Sequence, residues 1–373
     1  MELVKRICKS YKYSLDEENY DNNSQDSMWV FHIKPIVNDI LLDCYNNNIL
    51  KTYYNLSNPY KNDITYGYDD YFFFKSFKEL EHFNQGIKNS LFNLCKSLGL
   101  LRVFNPEGGI NKDNTMDVEE ALIALDKYFG FTIDFPEIFE KEDKYNWVSY
   151  VNMNKDLQDA GIITEEAAND HYNNYGKYEN RKYNSDLGLY SSRGIIKCRS
   201  IQTLHLVSRM KEILKDNIIN STIIEIGAGL GRNAYYAKKL GVKKYIIIDI
   251  PATSIMSSYY LGKTLGEENI TLYPETSDNY LHILPPNKYT DNLKADLIVQ
   301  FDGLTEMGII NSEKYINNFT KISPLFLSIN HESNNYTVNE LYNKNKDISR
   351  IYRFLSWYRD GYVEELLQKK SVN

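Results

Sequence analysis

No run of apolar residues in this chain approaches the ~20 needed to cross a bilayer, so no membrane span is expected. Positive charge is not in excess either. Lys and Arg number 43 against 50 Asp and Glu, a net charge of −7, and no basic stripe stands out. That excludes the electrostatic footprint a nucleic-acid partner normally requires. Cysteine is sparse: Cys8, Cys44, Cys95 and Cys198 lie far apart, with no C-x-x-C pair. This excludes a zinc site or disulfide framework and points to free thiols in a reducing compartment. Met1 to Ser14 carries basic residues but no apolar stretch of the kind a signal peptide needs, so the expected location is the cytoplasm. What is present is a globular composition, 373 residues with 42% hydrophobic and 14% aromatic, long enough for two domains and a substantial core. The 32 tyrosines, with abundant Asn, suit a sugar-binding surface but do not demand one.

The most informative stretch is STIIEIGAGLGRNAYYAKKL, Ser221 to Leu240. Ile223, Ile224 and Ile226 read as a buried parallel strand. Gly227, Ala228, Gly229 and Gly231 then form a turn, and Ala234, Ala237 and Leu240 continue as a helix. Glycine permits the sharp turn and close approach of a ligand to the backbone. Two common readings fail. A G-x-G-x-x-G fingerprint would need its third glycine at Arg232, and no Lys-hydroxyl pair follows as in a P-loop. Instead the acid Glu225 precedes the turn; it suits a cationic ligand and would repel a pyrophosphate. E-x-G-x-G-x-G after a strand resembles motif I of the class I S-adenosylmethionine (SAM) methyltransferases. That resemblance implies SAM as cofactor, bound by Glu225, Gly227, Ala228, Gly229 and Gly231. Tyr245 to Asp249 reads as a second buried strand ending in an acid, and Asp249 stands where nucleoside-binding α/β folds accept ribose hydroxyls.

Along the chain, residues 1–140 read as a mainly helical domain. Phe77, Leu80, Phe83 and Ile87 fall on one helix face, and Asp117 to Phe129 reads as a helix ended by Gly130. The ring cluster Tyr66, Tyr68 and Tyr71 to Phe74 reads as core or as a sugar-stacking surface. Residues 141–185 form a short module with the pattern W-x-x-Y…N-x-D-L…H-Y-x-x-Y-G-x-x-E-x-R, which resembles a module found beside glycan-modifying enzymes; His171 within it reads as structural. Residues 186–373 form the methyltransferase domain. A helix bearing Ile201, Leu204, Val207 and Leu214 precedes strands expected at 222–226, 245–249, 269–273, 295–301 and 324–330. The fold class is therefore α/β, a Rossmann-like doubly wound sheet with an N-terminal helical domain, and ligands bind beyond the carboxyl ends of its strands.

The expected fourth strand opens into Asp302-Gly303-Leu304-Thr305-Glu306-Met307, and the fifth runs into His331 and Glu332. A D-x-x-x-E-M after the fourth strand, S-I-N-x-E at the fifth, RVFNPE at Arg102 to Glu107 and WYRDGYVEE at Trp357 to Glu365 resemble the sugar O-methyltransferase family. That resemblance implies methyl transfer from SAM to a hydroxyl of a sugar, free, nucleotide-linked or within a glycan. Methyl transfer is an in-line displacement, and positioning supplies much of its rate. A hydroxyl also needs to lose its proton. His331 is the expected base, since imidazole is the side chain that changes charge near neutral pH. Asp302 and Glu306 lie one turn apart if a helix starts there, and would orient His331 or hold sugar hydroxyls. They are oxygen donors suited to Mg²⁺, but no dense ligand cluster is visible in the sequence and no metal is expected. His205 reads as core-edge, and Arg193 and Arg199 as candidates for a substrate anion. The fourth strand is not followed by N/D-P-P-Y/F, the signature of amino-methylating DNA enzymes. Two alternatives stay open, a natural-product O-methyltransferase and a non-catalytic SAM-binding scaffold for glycan assembly. The sequence leaves oligomeric state open.

Overall fold

A computed structural model describes residues 1–17, 38–57, 77–101, 116–136, 138, 145, 147–181 and 188–370. The ring cluster at 66–74 and RVFNPE at 102–107 lie outside the described residues. The chain divides into two compact units, Met1–Leu56 with Thr203–Asn373, and Ser57–Gln202.

Within Ser57–Gln202 the helix Val118–Phe129 begins on a capping box between Asp117 and Glu120 and ends on Gly130 in the left-handed conformation. Three short helices over 147–171 enclose a small core of Tyr150, Val151, Leu157 and Ala168. The hydroxyl of buried Tyr150 pairs with Nδ1 of His171 at 2.8 Å, and Arg181 binds Asp156 and Glu179 at 2.6 and 2.5 Å. The residues of the 141–185 pattern thus spend their polar groups on one another. A two-stranded antiparallel hairpin, β1 (Leu189–Ser191) and β2 (Gly194–Ile196), closes this unit.

The other unit is built on an eight-stranded sheet. Its strands are β3 (Thr222–Ile226), β4 (Lys244–Ile248), β5 (Ile270–Leu272), β6 (Leu281–Leu284), β7 (Leu297–Phe301), β8 (Leu325–His331), β9 (Ile348–Leu355) and β10 (Tyr362–Lys369). The order is β5-β6-β4-β3-β7-β8-β10-β9. Strands β3 to β8 pair in parallel, while β10 runs antiparallel to both β8 and β9. The sequences TIIEI, KYIII and LIVQF are almost entirely buried, as central parallel strands covered on both faces must be. On one face Ile224, Ile226, Ile246, Ile248, Ile298 and Phe326 pack with Ile316 and Phe319 of the helix Ile309–Ile322. The helix Glu2–Glu17 packs on Pro251–Leu265 and is pinned by Arg6, whose guanidinium donates to both oxygens of Glu275 at 2.7 Å.

The expected strands at 222–226, 245–249, 269–273, 295–301 and 324–330 are present, with ends displaced by at most two residues. Strands β6, β9 and β10 were not expected. LHIL is short and sits between turns, and ISRIYRFL mixes charge with apolar residues because it is an edge strand, half exposed on both faces. YVEELLQK carries two glutamates that are fully buried. Glu364 is held by Arg209 at 2.6 Å and Glu365 by Arg353 at 3.0 Å, so burial of these charges rests on partners the local sequence does not reveal.

Chain order runs from β3 outward to β4, returns to β7 on the opposite side of β3, and continues to β8. The crevice at the carboxyl ends of β3, β4 and β7 is therefore a topological switch point, where open α/β sheets bind ligands.

Candidate active site

The loop leaving β3 is a tight left-handed turn. Gly227, Gly229 and Gly231 adopt φ of 72°, 57° and 86°, and the helix Arg232–Lys239 begins directly behind them. The carbonyl of Ala228 accepts from the N–H of Gly231 at 3.0 Å and closes the turn. Two of these glycines have different reasons to lack a side chain. A Cβ on Gly231 would lie 2.5 Å from Leu261, so packing forbids it; a Cβ on Gly229 would meet nothing within 4 Å, so that backbone faces open space. The Gly229 backbone thus faces open space in front of the N-terminus of the helix Arg232–Lys239.

Asp249 follows β4 and is 8% exposed. Its Oδ2 accepts from the N–H of Gly229 at 3.0 Å and its Oδ1 from that of Ile250 at 2.8 Å. Burial outweighs these bonds and pushes its carboxyl up to about 7. Asp249 thus braces the turn. Glu225 is still more deeply buried. It is 2% exposed, and its two oxygens accept from Asn233 at 2.5 Å and from the Tyr245 hydroxyl at 2.9 Å. Desolvation likewise raises it to about 7. Its carboxylate supports the turn from within the protein. Asn233 and Tyr245 were missed. Tyr245 lies two residues from Ile247, the register partner of Glu225, on the same face of the neighbouring strand.

The second cluster stands at the ends of β7 and β8. Asp302 takes φ of 60°, a strained value for a residue with a side chain. Its Oδ2 accepts from Arg359 at 2.7 Å and its Oδ1 from the Tyr362 hydroxyl at 2.5 Å. Nε2 of His331 faces Oε1 of Glu306 at 3.1 Å, and its Nδ1 faces the Ser333 hydroxyl at 2.8 Å. The ring of Tyr362 lies 5.4 Å from that of His331. The fold therefore brings Asp302, Glu306 and His331 together, with one ligand atom from each within 4.8 Å of the others. The helix considered for Asp302 and Glu306 does not start there. Residues 302–308 form an irregular turn, and the helix starts only at Ile309. Arg359 and Tyr362 belong to WYRDGYVEE; the motif was legible, but its reach to Asp302 depends on the β9–β10 hairpin.

Other candidates fall elsewhere. His205 is buried beside Glu364, 3.3 Å away, with its ring against Trp357. Arg193 is bound to both oxygens of Asp126 at 2.6 and 2.7 Å, and Arg199 donates to Gln202. Among the described residues no helix is long and apolar enough to cross a membrane.

No family model matches the chain, and no curated protein matches its sequence. Among solved structures it is similar to an S-adenosylmethionine-dependent methyltransferase from Mesorhizobium loti, at 9% identity over 46% of this chain and 100% of that one, with a TM-score of 0.33. It is also similar to TrmK of M. capricolum in complex with S-adenosyl-homocysteine, at 16% identity over 43% and 67% of the two chains, TM-score 0.30. A third similar structure is the mitomycin 7-O-methyltransferase MmcR, at 10% identity over 46% and 57%, TM-score 0.32.

Proposed function

We propose that this chain transfers the methyl group of S-adenosylmethionine to a hydroxyl, and that the hydroxyl belongs to a sugar. The observation that carries the reading is the pairing of two sites on one sheet. The open Gly229 turn braced by Asp249 stands at the ends of β3 and β4, and the His331–Glu306 pair stands at the ends of β7 and β8. Bound at the glycine turn, SAM supplies a methyl group on a positively charged sulfur. Asp249 accepts from ribose hydroxyls, and the Gly229 backbone leaves room for the ligand. His331 would take the proton of the acceptor hydroxyl on Nδ1, the ring nitrogen that Glu306 does not hold and that faces the Ser333 hydroxyl, freeing the acceptor oxygen to receive the methyl group. Glu306 holds the imidazole and stabilises its charge. Arg359 and Tyr362 fix Asp302, which accepts from acceptor hydroxyls. The sugar is supported by the resemblances of D-x-x-x-E-M, S-I-N-x-E and WYRDGYVEE. Labelled SAM with a panel of nucleotide sugars and glycan extracts tests it: a methylated sugar detected by mass spectrometry is expected, and transfer only to non-sugar acceptors would refute the substrate class.

One distance favours a second reading. Ligand atoms of Asp302, Glu306 and His331 within 4.8 Å of one another suit a divalent cation, which would bind acceptor oxygens directly. Turnover abolished by EDTA and restored by Mg²⁺ would select it. Turnover indifferent to EDTA would select proton transfer to His331.

A further inference from the structure

We infer that Asn330 is a positioning residue for this transfer, acting with Gln300 to set the turn that carries Asp302 and Glu306 against His331. The inference rests on reading that cluster as the acceptor side. Asn330 is the N of S-I-N-x-E. It and Ser328, two residues apart on one face of β8, are 2% and 1% exposed, and Gln300 of β7, in register with Ser328, is fully buried. The Asn330 amide donates to the Gln300 carbonyl at 2.5 Å and to the Ser328 hydroxyl at 2.7 Å. Its Oδ1 accepts from the backbone N–H groups of Gly303 and Leu304, both at 3.1 Å. A primary amide has two donors and two acceptor positions, so all of Asn330's capacity is spent at this point.

Gly303 and Leu304 have left β7 and have not entered the next helix, so their buried N–H groups need partners from a side chain. Gln300 faces the same two groups; with its amide turned over, its oxygen accepts from them at 2.6 and 3.0 Å. In either orientation an amide oxygen from the strand ends holds the turn. The Asp302 N–H adds a bond to the Ile329 carbonyl at 2.9 Å. These contacts hold Asp302 at its strained φ and fix Glu306 relative to β8. Because His331 directly follows Asn330, one segment sets both the base and the turn that faces it. Displacement by ~1 Å in such a site costs about 10²-fold in rate.

The test compares Asn330→Ala, which removes the oxygen, with Asn330→Asp, which keeps an oxygen for Gly303 and Leu304. Asn330→Ala is expected to lower kcat about 10²-fold with SAM affinity close to wild type, and Asn330→Asp to recover part of the loss. In a His331→Ala background Asn330→Ala should add little, because both act through one geometry. Equal losses in both backgrounds, with SAM affinity falling alongside, would overturn positioning in favour of a general structural role. A measurement without acceptor separates this from the transferase reading. In folded Asn330→Ala, amide exchange at Gly303 and Leu304 should quicken and the ¹⁵N signal of the His331 ring should shift. No change in either overturns the inference, whereas changes in both beside a wild type that methylates nothing refute the transferase reading instead.

Discussion

At the ends of β3 and β4 the paired groups are close in sequence, Gly229 and Asp249 being 20 positions apart, whereas at the ends of β7 and β8 Asp302 meets Arg359 and Tyr362 from 57 and 60 positions away. The first region is a strand, a turn and the next strand. Its acids are buried, and burial sets their protonation. The second is assembled from three segments, is partly exposed and is held by the Arg359–Asp302 ion pair and the His331–Glu306 hydrogen bond. Local sequence encodes the first region, while the second borrows groups from wherever the topology returns the chain. If the division is functional, the two regions should fail separately.

The largest expected effect lies at the second region. His331→Ala should lower the single-turnover methylation rate by ~10²–10⁴-fold and leave SAM affinity unchanged; rapid-quench measurement with saturating SAM checks it. An equal loss of SAM affinity would merge the two regions. At the first region, Asp249→Ala at pH 8, where the carboxyl is ionised, removes a charged partner worth about 1.5–3 kcal/mol, so SAM should bind roughly 10- to 100-fold more weakly by calorimetry, with the protein still folded.

Smaller effects sharpen the contrast. Tyr362→Phe frees one oxygen of Asp302 and should slow transfer about 10-fold. Arg359→Ala should cost only a few-fold, because its side chain is 40% exposed and solvent screens the pair. Neither should change SAM affinity, and a fall in affinity for either would contradict the separation.

The last effect is one of stability. Glu225 and Asp249 hold their protons up to about 7 in the folded chain, while an unfolded carboxyl releases its proton near 4. Between those values the native state binds more protons than the unfolded state, so stability falls as pH rises through the window and levels above it. Glu225→Gln has no proton to lose and should flatten the fall, gaining at most about 3 kcal/mol on the wild type at pH 8 relative to pH 4.5. Melting temperatures across that range, without SAM, check the sign.

Much of the first region was legible. Three β-branched residues, an acid, spaced glycines and a second apolar strand ending in Asp249 are signals within a short window. Even there the burial of Glu225 was not legible, because it depends on its partners Asn233 and Tyr245. At the second region the residues Asp302, Glu306 and His331 were legible as strand-end groups, but their joining was read as a helical turn. The turn is held instead by Asn330 and Gln300 from below and by the β9–β10 hairpin, whose strands read poorly because an edge strand mixes charge with apolar residues and β10 buries paired acids.

The most direct test of the separation is a calorimetric titration of SAM into the wild type, His331→Ala and Gly229→Asn, since Asn tolerates the left-handed φ of 57° at that turn while filling the open space. The wild type and His331→Ala should bind SAM equally, and folded Gly229→Asn should bind it far more weakly. A wild type that does not bind SAM, or a Gly229→Asn protein that binds it as well as the wild type, would contradict the assignment of the glycine turn as the cofactor site.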